Sequence, residues 1–312
     1  MYYDALHTAY PNITLIASTQ YVPVPNGTVS DYHLYGKITF SSTSSIMRAT
    51  FSKSTLDTPD GLVSAYNYFD QNSTSSSTMI GEFAAVDHNS PAGADVDAPT
   101  VPAPFWQGTV SEAIFLIGAE RNAGKIFGAA YAPSMGNWNS QQWLTNLLYF
   151  DADPKSTVLS TSYHMLALFS GTRFTTTRPV ETTTKTAPLY WVAGTDEATG
   201  AGIAKLAVYN STGNVPVRLN FNGVGTTANL TVLTAPSWDS YNSIGYDVVI
   251  SNTTIIQADA TGAFAFSLPN LSIAVLKTEG GGSVNGTGMV RGAGQNGKII
   301  WETADGKLYS SS

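Results

Sequence analysis

The 312 residues contain no cysteine. Disulfide frameworks, thiolate metal centres, iron–sulfur clusters and cysteine nucleophiles are therefore excluded. Charge is scarce as well: 12% of residues are Asp, Glu, Lys or Arg, about half the roughly 25% of an average soluble chain. Basic side chains are the rarer sign, 15 against 22 acidic, for a net charge of −7. Such a surface offers a polyanion no counter-charge, so neither nucleic acid nor an anionic membrane is an expected partner. No apolar run approaches the roughly 20 residues that span a bilayer. Met1-Tyr2-Tyr3-Asp4 has neither the basic head nor the apolar stretch of a signal peptide. The four histidines show no metal-ligand spacing, and Asp95-Val96-Asp97 and Asp151-Ala152-Asp153 are too sparse for a calcium cage. Gly118 to Lys125 has the outline of a phosphate loop, but five residues separate its glycines and Ile126 stands where Ser or Thr is needed. No metal and no cofactor is expected.

What is present is apolar material, 43% of the chain, enough for a sizeable core. Glycosylation sequons are also plentiful. Asn-x-Ser/Thr occurs at Asn12, Asn26, Asn72, Asn210, Asn229, Asn252, Asn270 and Asn285, eight of nineteen asparagines. Composition alone gives roughly four, so an extracellular glycoprotein is expected. A secreted protein without a leader is a contradiction, resolved if the sequence begins partway through a longer polypeptide.

Residues 1–150 alternate strand and helix. Tyr3 to Tyr10 suits a helix, and Ile13 to Ala17 a short apolar strand of the kind buried in parallel sheets. Leu62 to Phe69 suits a helix begun after Pro59 and Asp60. Met79 to Ala84 is a strand carrying Glu82. Val110 to Arg121 is a helix with Val110, Ala113, Ile114 and Ile117 on one face, and Ile126 to Ala132 a strand closed by Pro133. Alternation of this kind implies parallel pairing, with three or four units, half of an eight-fold barrel. After a helix at 161–170 the texture changes to short pieces separated by turn residues. Strands are expected at 189–193, 203–209, 217–221, 228–233, 246–250, 263–268 and 273–276, an antiparallel β-sandwich. The stretch beyond Glu279 reads as a flexible tail. Gly36 to Asp57, rich in Ser and Thr, interrupts the first half as an atypical insertion.

Strand ends in parallel sheets are where reactive groups collect, which draws attention to Glu82 as nucleophile or general base. His33, read as closing a loop after a strand, can orient such a carboxylate. Aromatic residues crowd the same half, including Tyr32, Tyr35, Tyr68, Phe83, Trp106, Tyr131 and Trp138. Beside Trp138 and Trp143 lie Asn137, Asn139, Gln141 and Gln142, a combination suited to stacking sugar rings and holding hydroxyls.

Asp31-Tyr32-His33-Leu34-Tyr35, Pro59-Asp60-Gly61-Leu62-Val63, Ile80-Gly81-Glu82, Gly118-Ala119-Glu120-Arg121-Asn122, Ala129-Ala130-Tyr131-Ala132-Pro133 and Leu268-Pro269-Asn270-Leu271-Ser272 follow one another in a shared order. Together they resemble the C-terminal half of glycoside hydrolase family 51, the α-L-arabinofuranosidases, in its secreted eukaryotic branch. The resemblance runs from residue 1 to about 278. It implies the C-terminal half of a (β/α)8 barrel over 1–175, a β-sandwich over 176–278 and a tail over 279–312. It makes Glu82 the nucleophile of a retaining glycosidase, lines the arabinose subsite with His33 and Tyr35, and turns Asn139 and Gln142 toward the same pocket. The implied substrate is an arabinose-containing polysaccharide or oligosaccharide. The family's general acid comes from an Asn-Glu pair, and no Asn-Glu dipeptide occurs here. Glu112 and Glu120, read as lying on an exterior helix, are poor substitutes. The expectation is a truncated chain, inactive alone. Removing 36–57 joins Tyr35 to Thr58 and restores the family's spacing, as a translated intron would require. Two other readings are a non-catalytic carbohydrate-binding β-sandwich protein and a structural surface glycoprotein.

Overall fold

A computed structural model describes residues 2–18, 27–35, 59–71, 77–85, 103–140, 145–178, 187–221, 225–280, 300–302 and 308–310. The first half is built on four parallel strands that lie side by side in chain order: β1 (Ile16–Ala17), β2 (Val29–Tyr35), β3 (Thr78–Ala84) and β4 (Ile126–Tyr131). Helix α1 (Tyr2–Ala9) precedes them. Between β2 and β3 come α2 (Pro59–Ser64), a 3-10 turn (Ala65–Asn67) and α3 (Tyr68–Gln71). Between β3 and β4 runs the longest helix, α4 (Trp106–Arg121). Parallel neighbours need such crossovers, because a tight hairpin cannot reverse the chain twice.

Three expectations change here. β1 is two residues long and Ile16 is exposed, because the strand forms the rim of the sheet. Residues 29–35 are a strand and not a loop; their inward positions are polar, which hid the alternation. In α4 the expected face, Val110, Ala113, Ile114 and Ile117, is fully buried, but so are Thr109, Ser111, Glu112 and Phe115 on its other sides. Its covering is supplied by the second half of the chain. Gly118 allows this crowding. A Cβ there would lie 2.4 Å from the Tyr66 carbonyl oxygen, so the helix and the 3-10 turn touch backbone to backbone.

A small sheet follows, from β5 (Met135–Asn137), β6 (Leu148–Phe150) and β7 (Val158–Leu159). Then comes α5 (Thr161–Gly171), capped where the Ser160 hydroxyl accepts from the Tyr163 N–H. The remainder is β-structure: β8 (Thr176–Arg178), β9 (Leu189–Asp196), β10 (Ala201–Val208), β11 (Val215–Asn220), β12 (Thr227–Thr234), β13 (Ile250–Gln257), β14 (Ala263–Leu268), β15 (Ser272–Thr278), β16 (Ile300–Glu302) and β17 (Leu308–Ser310). Six of these pair in the order β13-β12-β15-β10-β9-β8 and four in the order β14-β11-β16-β17, antiparallel wherever they pair.

The two sheets pack face to face. Ala204, Leu206, Ala274 and Leu276 of the larger meet Val217, Leu219, Phe264 and Leu268 of the smaller. Alternate residues of the larger sheet, Tyr190, Val192, Ile203, Ala207, Ile273 and Val275, join the core around α4. Burial on both faces makes β9, β10 and β15 read as nearly unbroken apolar runs. Each fully buried Leu or Ile on either face stabilises by about 1.5–3 kcal/mol. Lys205, on the helix-facing side of β10, is about 2% exposed and donates to Glu120 Oε1 at 2.6 Å and to the Phe169 carbonyl at 3.0 Å. Burial pushes Glu120 up and Lys205 down, each opposed by the other's charge.

The expected strand at 246–250 is displaced: residues 246–249 are loop and the strand is β13. It lies at the sheet's edge with solvent on both sides, so its Ser251-Asn252-Thr253-Thr254 stretch carries no apolar face to read. The region past Glu279, expected as a flexible tail, contributes β16 and β17, with Ile300 and Trp301 paired to Asn220 and Leu219 at the open edge of β11. Among the described residues, no helix is long and apolar enough to cross a membrane.

Candidate active site

Ser18, just past β1, Asp31 and His33 along β2, and Glu82 toward the carboxyl end of β3 come together. Strand side chains alternate, so Asp31 and His33 share a face of β2 while Tyr32 points the other way. Tyr32 stacks on Tyr68 at 5.5 Å and meets Phe69 edge-on at 5.7 Å; burial holds its phenol far above the ordinary range. It is a core residue and not a sugar platform. In β3, Tyr32 pairs with Ile80 and His33 with Glu82, which leaves Gly81 as an extra residue between them. This bulge re-aims the strand. Ile80 and Phe83 join the buried core, while Glu82, set opposite His33, keeps about 38% of its side chain exposed.

His33 bridges two carboxylates. Its Nε2 lies 2.9 Å from Asp31 Oδ2 and its Nδ1 3.3 Å from Glu82 Oε2. Ser18 Oγ donates to the same Asp31 oxygen at 2.6 Å. Asp31 is nearly buried, at about 10% exposure, so the reachable carboxyl of the pair is that of Glu82. A half-exposed carboxylate held by an imidazole suits a nucleophile or a general base. Sequence reasoning brought His33 and Glu82 together and missed Asp31 and Ser18. The signal for Asp31 was available: Asp-x-His within one strand places both side chains on one face. Tyr35 closes β2, and its side chain lies outside the described part.

A second carboxyl was misplaced by sequence reasoning. Glu112, expected on an exterior helix, is fully buried. It accepts from the Ala85 backbone N–H at 2.9 Å, from Ser162 Oγ at 2.5 Å and from Tyr131 Oη at 3.3 Å. Thr109 continues the network to Ser162 and Thr161, at 3.0 and 2.7 Å. Burial pushes the Glu112 carboxyl up to about 7, against the lowering effect of these donors. The chain three residues past Glu82 is thereby tied to α4, α5 and the end of β4. A Ser-Glu pair inside an otherwise apolar helix was the available clue.

The Asn/Gln/Trp loop is only partly described. Trp138 stacks on Tyr149 at 4.7 Å and donates from Nε1 to the Ser156 carbonyl, which makes it a packing residue of the small sheet. Asn139 is exposed on a turn whose backbone N–H is held by Asn137 Oδ1 at 2.8 Å. Gln142 and the 36–57 insertion lie outside the described residues. Of the sequons, Asn12, Asn210, Asn229, Asn252 and Asn270 are exposed; Asn26, Asn72 and Asn285 lie outside the described residues. A cavity of about 510 Å³ between α4, α5 and β4 is lined by Glu120, Phe127, Phe169, Arg173 and Lys205, and includes neither His33 nor Glu82. No group of three or more potential metal ligands occurs among the described residues.

Comparison with known proteins adds three findings. The model of the α-L-arabinofuranosidase C-terminal domain family matches residues 81–272. α-L-Arabinofuranosidase A of Aspergillus kawachii is 36% identical over 281 residues, as is that of Aspergillus niger; each alignment takes in 88% of this chain and 38% of the relative. The chain thus spans about two fifths of the length of these relatives. Among solved structures, the arabinose-bound MgGH51 α-L-arabinofuranosidase superposes with a TM-score of 0.72 at 25% identity, over 90% of this chain and 42% of the other. The arabinose complex of the Thermotoga maritima α-L-arabinofuranosidase gives 0.60 at 15% identity over 89% and 60%, a likeness of fold.

Proposed function

Since this chain belongs to the α-L-arabinofuranosidase C-terminal domain family of glycoside hydrolase family 51, we propose that it carries the nucleophile side of a retaining α-L-arabinofuranosidase site. The four parallel strands and their helices are read as the C-terminal half of a (β/α)8 barrel over 1–175. The β-sandwich over 176–278 then acts as its companion domain, covering α4. Glu82 attacks the anomeric carbon of a terminal non-reducing arabinofuranosyl residue and holds it as a glycosyl-enzyme, which water then hydrolyses. His33 orients the nucleophile, and Tyr35, Asn139 and Gln142 line the pentose subsite. The substrate class is arabinose-containing hemicellulose or pectin, and the exposed sequons suit an extracellular glycoprotein.

The observation that carries this reading is the pairing of Glu82 with His33 at the carboxyl ends of parallel strands, at 3.3 Å. A retaining mechanism needs a second carboxyl about 5–5.5 Å from the nucleophile to protonate the leaving oxygen. Asp31 does not meet that need, since it is turned to the far nitrogen of His33 and nearly buried. With no Asn-Glu pair among the 312 residues, the general acid is assigned to sequence other than this chain. The chain alone is therefore expected to be inactive on substrates whose leaving group requires protonation, a loss of about 10²–10⁴-fold.

A leaving group that needs no acid separates the two halves of the chemistry. Dinitrophenyl α-L-arabinofuranoside is expected to give a burst approaching one equivalent of dinitrophenolate per chain. Glu82→Gln is expected to abolish it, while the methyl glycoside is left intact. Absence of the burst, or a burst of equal size in Glu82→Gln, refutes the assignment.

A further inference from the structure

We propose that Asp31 is a positioning residue: acting through His33, it fixes the tautomer and orientation of the imidazole and so keeps the Glu82 carboxyl aimed for attack. This inference rests on the reading of Glu82 as nucleophile.

The chemistry follows from the bonding. An ionised carboxylate has acceptors only, so the 2.9 Å contact with Asp31 Oδ2 requires His33 Nε2 to carry hydrogen. On the other side of the ring, Nδ1 faces Glu82 Oε2 at 3.3 Å. The ring is thereby held between the two carboxyls in one tautomer and one orientation, with Nδ1 turned to the Glu82 carboxyl that nucleophilic attack uses. The titratable groups bonded to His33 are Asp31 from β2 and Glu82 from β3; β1 contributes the neutral Ser18, and Tyr32 and Tyr68 stack on the opposite face of the sheet.

Two further observations argue that Asp31 is placed for this role and not for stability. Its Oδ1 is buried with no hydrogen-bond partner among the described residues, an arrangement that costs free energy and accumulates at functional sites. Room for the carboxylate is made by Gly81, immediately before Glu82. A Cβ at that position would lie 2.0 Å from Asp31 Oδ1. The β-bulge, the missing side chain and the carboxylate form one unit: the extra residue that turns Glu82 toward His33 is also the one that admits Asp31.

The test reads the ring nitrogens of His33 directly and needs no turnover. With four histidines in the chain, its signals in a long-range ¹H–¹⁵N spectrum are assigned by difference from His33→Gln. The expected wild-type spectrum shows Nε2 carrying hydrogen. Asp31→Asn, which keeps the shape and removes the charge, is expected to redistribute that hydrogen between the two ring nitrogens and to slow the dinitrophenolate burst by about 100-fold or more, toward the roughly 10⁴-fold of losing an orienting carboxylate behind a histidine. Gly81→Ala, which displaces the same carboxylate, is expected to move His33 in the same direction. A wild-type Nε2 without hydrogen overturns the proposal with no variant needed, and so does a His33 whose tautomer is unchanged in both variants. Loss of the burst assignment to Glu82 with His33 still responding to Asp31→Asn refutes the nucleophile reading and leaves the carboxylate–imidazole coupling standing.

Discussion

The buried Glu112 makes the stability of this protein depend on pH in a way that one substitution removes. Its carboxyl has an ordinary value of 4.5 and is pushed by burial to about 7 in the fold. At about 1.36 kcal/mol per tenfold change in proton affinity, that displacement is worth about 3 kcal/mol. The sign follows from linkage. Below pH 4.5 the group is protonated in both the folded and the unfolded chain, and its contribution is fully present. Between pH 4.5 and 7 the unfolded chain ionises while the fold keeps the proton, so stability falls with rising pH. Above 7 both are ionised and the loss is complete. Glu112→Gln removes the titration and keeps the main acceptor: its Oε1 still receives the Ala85 and Tyr131 donors, and its amide can donate to Ser162 Oγ. The variant is therefore expected to unfold at higher urea than the parent at pH 8, by an amount approaching 3 kcal/mol, and to match it near pH 4.5. Glu112→Ala strands three donors and is expected to be destabilised throughout, by about 1–3 kcal/mol for each. The assay is urea unfolding followed by tryptophan fluorescence from pH 4.5 to 8. Parallel stability curves for the parent and Glu112→Gln across that range refute the reasoning.

The Lys205–Glu120 pair offers a second check. Removing one partner of a fully buried pair costs about 3–5 kcal/mol, but Glu120 is about 30% exposed and can rehydrate. Lys205→Met is accordingly expected to cost about 1–2 kcal/mol, and the double change with Glu120→Gln to recover most of it, as read by a double-mutant cycle in urea; additive losses contradict the coupling. Gly118→Ala improves intrinsic helix propensity by about 1 kcal/mol, yet places a Cβ 2.4 Å from the Tyr66 carbonyl oxygen. A net loss of about 1–3 kcal/mol is expected from the overpacking, and an unchanged or raised melting temperature refutes the close approach of α4 to the 3-10 turn.

How far the sequence disclosed this structure depends on what each element faces. β9, β10 and β15 were legible because both of their faces are buried and their apolar runs are unbroken. β14 was legible because turn residues bound it on each side. β13 was misplaced because an edge strand wet on both faces has no apolar pattern to follow. β2 was taken for a loop for the opposite reason: Asp31 and His33 occupy positions where a structural strand would carry apolar side chains, so the polar residues of the candidate site erased the signal of their own element. The site divides likewise. Glu82 was singled out from its place near a strand end, and His33 from its chemistry. Asp31 was overlooked because the Asp-x-His spacing is informative only once residues 29–35 are known to form a strand. Glu112 was assigned to an exterior face because no helical period reveals that a β-sandwich will cover the far side of α4.

The central claim is that the carboxylate of Glu82 forms a covalent bond with a pentose. Its most direct test is mass spectrometry of the chain quenched during the dinitrophenolate burst and digested at low pH. If Glu82 is the nucleophile, one pentosyl group is found on the peptide containing residue 82, fragmentation places it on that side chain, and the Glu82→Gln protein carries none. A pentosyl group on any other residue, or an unmodified residue 82 in a chain that has released dinitrophenolate, contradicts it.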